Sequence, residues 1–165
     1  MSYFSTFNTL VSFVEIYFFI WKGVLNHNQN LEKIMQLLKW KDEYSMSEEK
    51  IDEQHKGLFK LSNEIYHLVE AGVDDAEHFR ELFMALNDYT VEHFIYEEMY
   101  MEAKGYPQLK KHIKQHLEFS ETLKKLAVGI NKESHIKDIG EFVTTWLVQH
   151  VLNEDMKYKE YIQAR

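Results

Sequence analysis

His93-Phe94-Ile95-Tyr96-Glu97-Glu98, followed by Met101, by Gly105-Tyr106-Pro107 and then by His112 and His116, is the stretch that decides how this chain folds. His93 and Glu97 stand four residues apart, as do His112 and His116. On helices each pair projects from a single face. Gly105-Tyr106-Pro107 contains the chain's one proline and separates the two helices, with Pro107 expected in the first turn of the second. His55 lies upstream in Asp52-Glu53-Gln54-His55, and His150 and Asp155 lie downstream. Four segments therefore offer imidazole and two of them also offer carboxylate, the layout of a two-metal site inside a helix bundle.

The chain has 165 residues, enough for one domain with a core and a spare segment. With 27 acidic against 19 basic residues its formal charge is -8, and no basic patch interleaved with aromatics occurs, so nucleic acid is excluded as an expected partner. Cysteine is absent, which removes disulfides, thiolate nucleophiles and iron–sulfur clusters and leaves nitrogen and oxygen ligands for any metal.

Apolar periodicity predicts four helices, over 51–71, 76–101, 107–128 and 136–161. The second is read with Phe79, Phe83, Leu86, Val91, Phe94 and Ile95 as its apolar positions. Short links favour antiparallel neighbours, hence an all-α, up-down-up-down four-helix bundle. Two parts are expected: residues 1–39 as an aromatic-rich helical extension and residues 40–165 as the bundle. In the extension, Ser5, Asn8, Thr9, Ser12 and Glu15 form a polar stripe opposite Phe4, Phe7, Val11, Val14, Phe18 and Trp21. The extension is read as an amphipathic helix packed on the bundle or on a partner chain, or as a membrane anchor or surface helix. A third reading starts translation at Met35. No basic residue precedes the apolar run, so a cleaved signal peptide is not expected.

His150 and Asp155 are five apart, about 1.4 α-helical turns, which suits ligands serving different atoms of a cluster. If Glu97 and Asp155 each bridge two ions and a solvent oxygen bridges them too, a pair of octahedral ions keeps one position open. That suits reversible binding of a diatomic ligand at a redox metal, and iron fits better than zinc. For a single histidine in a helical protein the ordinary place is the surface, and His27, His67, His78 and His135 are left there. Seven polar groups converging without a metal would each need costly compensation. Glu64-Ile65-Tyr66-His67 is the one Glu-x-x-His in the chain, whereas carboxylate-rich di-iron oxidases and ferritin-like proteins need two.

From Trp40 to about Tyr161 the pattern resembles the hemerythrins in their bacterial single-domain form, with every ligand position filled by the expected residue type. The resemblance implies two iron ions with an oxo or hydroxo bridge and dioxygen as ligand. His112, His116 and His150 would hold one iron, His55 and His93 the other, with Glu97 and Asp155 bridging, and the second iron would take dioxygen. It further implies an apolar pocket, for which Leu58, Phe94, Phe119, Trp146 and Leu147 are the candidates. Glu98 and Asp52 are candidates to orient imidazoles from behind. Ser47 stands where family members often carry glycine. Reversible oxygen binding for transport, storage or local supply to an oxygen-consuming partner is the expected function, without enzymatic turnover. A di-iron redox enzyme (peroxidase, oxidase or nitric oxide reductase) and an oxygen sensor acting through a separate partner are the alternatives. The expected compartment is the cytoplasm, with residues 1–34 as a route to membrane association or oligomerisation.

Overall fold

A computed structural model describes residues 38–70, 76–128 and 133–164. The amphipathic helix read in the extension, its membrane or partner role and the alternative start at Met35 lie outside the described residues. A 3₁₀ turn, Asp42–Tyr44, leads into helices α1 (Glu49–Glu70), α2 (Ala76–Ala103), α3 (Leu109–Ala127) and α4 (Glu133–Gln149). A π-helical segment, His150–Asp155, then continues into α5 (Met156–Gln163). No strand occurs among the described residues, and α1 packs on α2 and α4 while α3 packs on the same two helices. That ring is the expected four-helix bundle, its links each a few residues long.

The core explains why polar side chains collect at one level. On α1, Ile51 and Leu58 are fully buried on either side of His55, and on α2 Phe94 and Met101 flank Glu97. Leu58 and Phe94 belong to an apolar cluster with Ile65, Phe83, Phe119, Leu123, Val143 and Leu147. Ile51 and Met101 belong to a second, with Met46, Tyr106 and Tyr158. Each helix thus runs apolar, polar, apolar along its inner face, and the polar layer is sealed between two clusters whose members each contribute about 1.5–3 kcal/mol on burial. Val91 and Ile95 do not share in this. They lie on the outer face of α2, 44% and 56% exposed, with Met99, because the core stripe of that helix follows Phe83, Leu86, Thr90, His93, Glu97 and Met101.

The break after α2 is a left-handed glycine closure. Gly105 has φ 66°, its N–H donates to the Glu102 carbonyl at 2.9 Å, and the Tyr106 N–H donates to the Met101 carbonyl at 3.0 Å. Tyr106 and Met101 then pack together, which turns the chain sharply. Pro107 falls in this turn and not in the first turn of α3, which opens at Leu109, since Tyr106 must be seated in the core before the next helix can start.

Ahead of α1, Ser47 adopts φ 59°. A residue with a Cβ pays roughly 1–2 kcal/mol there, and glycine does not. Ser47→Gly is therefore expected to raise stability by about 1 kcal/mol after the entropy glycine adds to the unfolded chain. Urea unfolding midpoints of the two proteins measure it, and a lower midpoint in the variant would count against strain at this residue. Asp52 closes the same turn. It accepts the Ser45 hydroxyl and, at 2.6 Å, the Met46 N–H. Its carboxylate is thereby committed to the turn and does not orient an imidazole, contrary to expectation. Glu48 caps α1 by accepting the Ile51 N–H at 2.8 Å.

Candidate metal centre

Each helix delivers its share of the polar layer by simple spacing, except the last. His55 comes from α1, His93 and Glu97 from α2, and His112 and His116 from α3. In an α-helix, residues five apart diverge by roughly 140° around the axis. In a π segment the backbone hydrogen bonds run from i to i+5, which brings such residues onto one face. His150 and Asp155 are the two ends of the π segment, and His150 Nε2 lies 3.2 Å from Asp155 Oδ1. The expectation of an α-helical offset between them is corrected by this local unwinding.

All seven side chains are buried, and their donor atoms fall into two groups that meet on one carboxylate. The first is Glu97, His112, His116 and His150, and the second is His55, His93, Glu97 and Asp155. Glu97 Oε2 lies 3.1 Å from His112 Nε2 and 3.3 Å from His116 Nε2. Asp155 also spans the groups, with Oδ1 3.4 Å from His112 Nε2 and Oδ2 3.3 Å from His55 Nε2. Nε2 of His150 lies 2.9 Å from that of His116 and 3.1 Å from that of His112.

Three observations test the fit of this set to metal ions. Donors at right angles on one ion, with metal–imidazole bonds of about 2.1 Å, stand about 3.0 Å apart, close to the His150 separations. Nε2 of His150 stands this close to Nε2 of both His112 and His116, and a cation between the three turns the crowding into attraction. His55 Nδ1 and Nε2 and both Asp155 oxygens are buried without a hydrogen-bond partner among the described residues, although such atoms are ordinarily satisfied. A ligand set of imidazole and carboxylate suits iron.

Groups behind the imidazoles aim them. His116 Nδ1–H donates to Glu98 Oε1 at 2.8 Å, and His93 Nδ1 lies 3.4 Å from Gln54 Oε1, so both rings present Nε2 inward. Tyr158 donates its hydroxyl to Glu97 Oε1 at 2.9 Å. Glu98 was expected in this role. Gln54 and Tyr158 were not, and the available signals were the place of Gln54 just before a ligand and of Tyr158 one helical turn beyond Asp155.

Electrostatics in the metal-free layer follow burial first. Burial lowers the pKa of His55, brings His93 down to about 3 against the pull of Glu97, and pushes His150 well below its usual value. For His116 burial acts downward but hydrogen bonds to Glu97 and Glu98 prevail and raise it. Burial works to raise Glu97, yet the charge of His93 and hydrogen bonds from His112 and His116 hold it well below the carboxylate range. Burial and then Glu97 push Asp155 well above. A histidine whose folded pKa is lowered binds fewer protons folded than unfolded, so its contribution is lost as pH falls below about 6.5. His55, His93 and His150 act in that sense, and for His93 the window closes near pH 3. His116 acts oppositely, mainly above pH 6.5, and Asp155 offsets part of the loss. Metal-free protein is expected to lose on the order of 1 kcal/mol per pH unit from pH 6.5 toward pH 4.5. Urea unfolding across that range checks it, and a flat profile would contradict the burial assigned to these rings.

The five apolar candidates sit together against this layer. Phe94 stacks on His116 with ring centres 3.6 Å apart, Trp146 stacks on His150 at 4.2 Å, and Phe119 packs on both Phe94 and Trp146. Leu58 and Leu147 are buried in the same cluster. Phe94 and Trp146 therefore wall the three-histidine group. His67 and Met99 are exposed and His78 is half-exposed, all apart from the layer, while Met101 is core.

Fold and donor groups together define a helix-bundle protein built around a two-ion centre. The family model described as Hemerythrin HHE cation binding domain matches residues 46–162. The chain is 31% identical over 124 residues to the bacteriohemerythrin of Clostridium acetobutylicum, covering 72% of this chain and 96% of that protein. It is 34% identical over 127 residues to the myohemerythrin of the organism Theromyzon tessulatum, covering 77% and 95%. To the bacteriohemerythrin of Stenotrophomonas maltophilia it is 28% identical over 131 residues, covering 79% and 84%. The chain belongs to the hemerythrin family, as the resemblance read from its histidines and carboxylates implied. It is accordingly a di-iron, oxygen-binding domain. Among the described residues no helix is long and apolar enough to cross a membrane.

Proposed function

We propose that the protein binds dioxygen reversibly as a carrier, store or local supplier, and works by binding and not by turnover. His112, His116 and His150 would hold one iron and His55 and His93 the other, with Glu97 and Asp155 serving both. The observation that carries the reading is the meeting of the two donor groups on Glu97. Iron held by these residues would supply the redox chemistry that reversible dioxygen binding needs. The chain's own residues do the rest. Glu98 and Gln54 hold His116 and His93 with Nε2 inward. Leu58, Phe94, Phe119, Trp146 and Leu147 keep water from the layer, so that the reduced centre is not drained by solvent. Residues 40–165 form the iron-binding bundle, working in the cytoplasm, and residues 1–39 an extension; deletion of residues 1–34 alters membrane association or oligomerisation without altering oxygen binding.

Iron content and visible absorption of anaerobically reduced protein, then in air, then after oxygen removal, test this. Two irons per chain and a charge-transfer band that comes and goes with oxygen support it. Irreversible conversion to the diferric state, or repeated turnover with a reductant, would replace it with a redox enzyme.

A further inference from the structure

The two carboxylates of the layer, Glu97 and Asp155, differ in one respect. Neither oxygen of Asp155 has a hydrogen-bond partner among the described residues, whereas Glu97 Oε1 accepts the Tyr158 hydroxyl at 2.9 Å. Tyr158 is fully buried, with its ring edge-on to His112 at 6.0 Å and packed against Tyr100 and Tyr106. It lies three residues past Asp155, one turn of regular helix beyond the π segment, so the unwinding that aims Asp155 also fixes the approach of the phenol. The ring is held by its neighbours and the hydroxyl has one destination.

We propose that Tyr158 is a positioning residue that sets the redox balance of the centre, its hydrogen bond drawing charge from the shared Glu97 carboxylate and so favouring the reduced, oxygen-binding state. This rests on the reading of Glu97 as a ligand to both irons. A ferric ion gains more from a ligand's negative charge than a ferrous ion does. A donor on the carboxylate therefore weakens the ferric state more, and hydrogen bonding around a metal's ligands is a recognised lever on its potential. Asp155, unbonded, keeps its full charge for the irons. Glu97 is the carboxylate whose strength this protein moderates.

Tyr158→Phe keeps the ring and removes the bond. Spectroelectrochemical titration of the iron-loaded chain is expected to show the ferric-to-ferrous ratio at a fixed potential rising about tenfold, a downward shift of about 59 mV for one electron, with faster loss of the reduced state in air. Tyr100→Phe, whose ring touches Tyr158 but whose hydroxyl is not bonded to Glu97, is expected to leave the potential unchanged. 2,3-Difluorotyrosine placed at position 158, a stronger donor, is expected to shift the potential upward. A Phe variant with two irons and an unaltered potential would overturn the proposal and leave the ligand reading intact. Should the Phe variant fail to hold iron, the fluorinated protein decides, and an unaltered or lowered potential there would overturn it. Unsubstituted protein without a paired-iron spectrum would overturn both readings.

Discussion

Glu97→Ala is expected to abolish the paired-iron spectrum and bring iron content from two per chain to one or none. No other single change removes a donor from both groups so directly. Residues that merely support metal ligands typically cost about 10–100-fold in affinity when removed, so a shared ligand sets that as a floor. His150→Ala is expected to fail similarly, because its Nε2 lies within 3.1 Å of those of His112 and His116 and its ring carries the Trp146 stack. His78→Ala, on the surface of α2, is expected to keep both irons and the full band. Iron analysis with visible absorption on the three variants measures this. Retention of two irons by Glu97→Ala would refute the shared-ligand assignment.

Removal of iron is expected to lower the unfolding temperature by roughly 10–20 °C. Without metal, one nitrogen of His55 and both Asp155 oxygens are left buried and unsatisfied, each costing about 1–3 kcal/mol, and the crowded imidazoles lose what binds them. A loss of about 5 kcal/mol is a conservative sum, and a domain of this size changes by about 2–4 °C per kcal/mol. Calorimetry on iron-loaded and chelated protein at pH 7.5 tests it. Equal melting temperatures would mean that the bundle holds itself together and the metal adds nothing to the fold.

These outcomes depend on features of unequal legibility in the sequence. His93 with Glu97 and His112 with His116 were readable because four-residue spacing on a regular helix leaves no choice of face. Gly105-Tyr106-Pro107 was readable as a boundary, although the seating of Tyr106 displaced the start of α3 past the proline. Side-chain periodicity is blind to which carbonyl a backbone N–H selects, so the π segment could not be seen, and His150 and Asp155 were assigned an offset they do not have. Asp52 was misplaced for a different reason. A carboxylate near a ligand histidine looks the same in sequence whether it turns inward or, as here, ties down the Ser45–Ser47 turn. Tyr158 is hard to pick out among the chain's many aromatics, since its place one turn beyond Asp155 does not show that its hydroxyl ends on Glu97. Val91 and Ile95 show the converse, apolar residues that fit the pattern of a helix core and face outward.

The extra residue's worth of winding at His150–Asp155 makes the pitch of the backbone, more than side-chain spacing, the quantity that this part of the protein must conserve. Asn153 is exposed, whereas the Glu154 side chain is 21% exposed and pairs with Lys111 and Lys157, and Val151 is core. Regular α-helix over the same residues would turn Asp155 about 140° away from the face of His150 and swing Tyr158 and everything after it around the axis together. The segment holds one residue's worth of slack, and that slack lets two ligands five places apart work side by side.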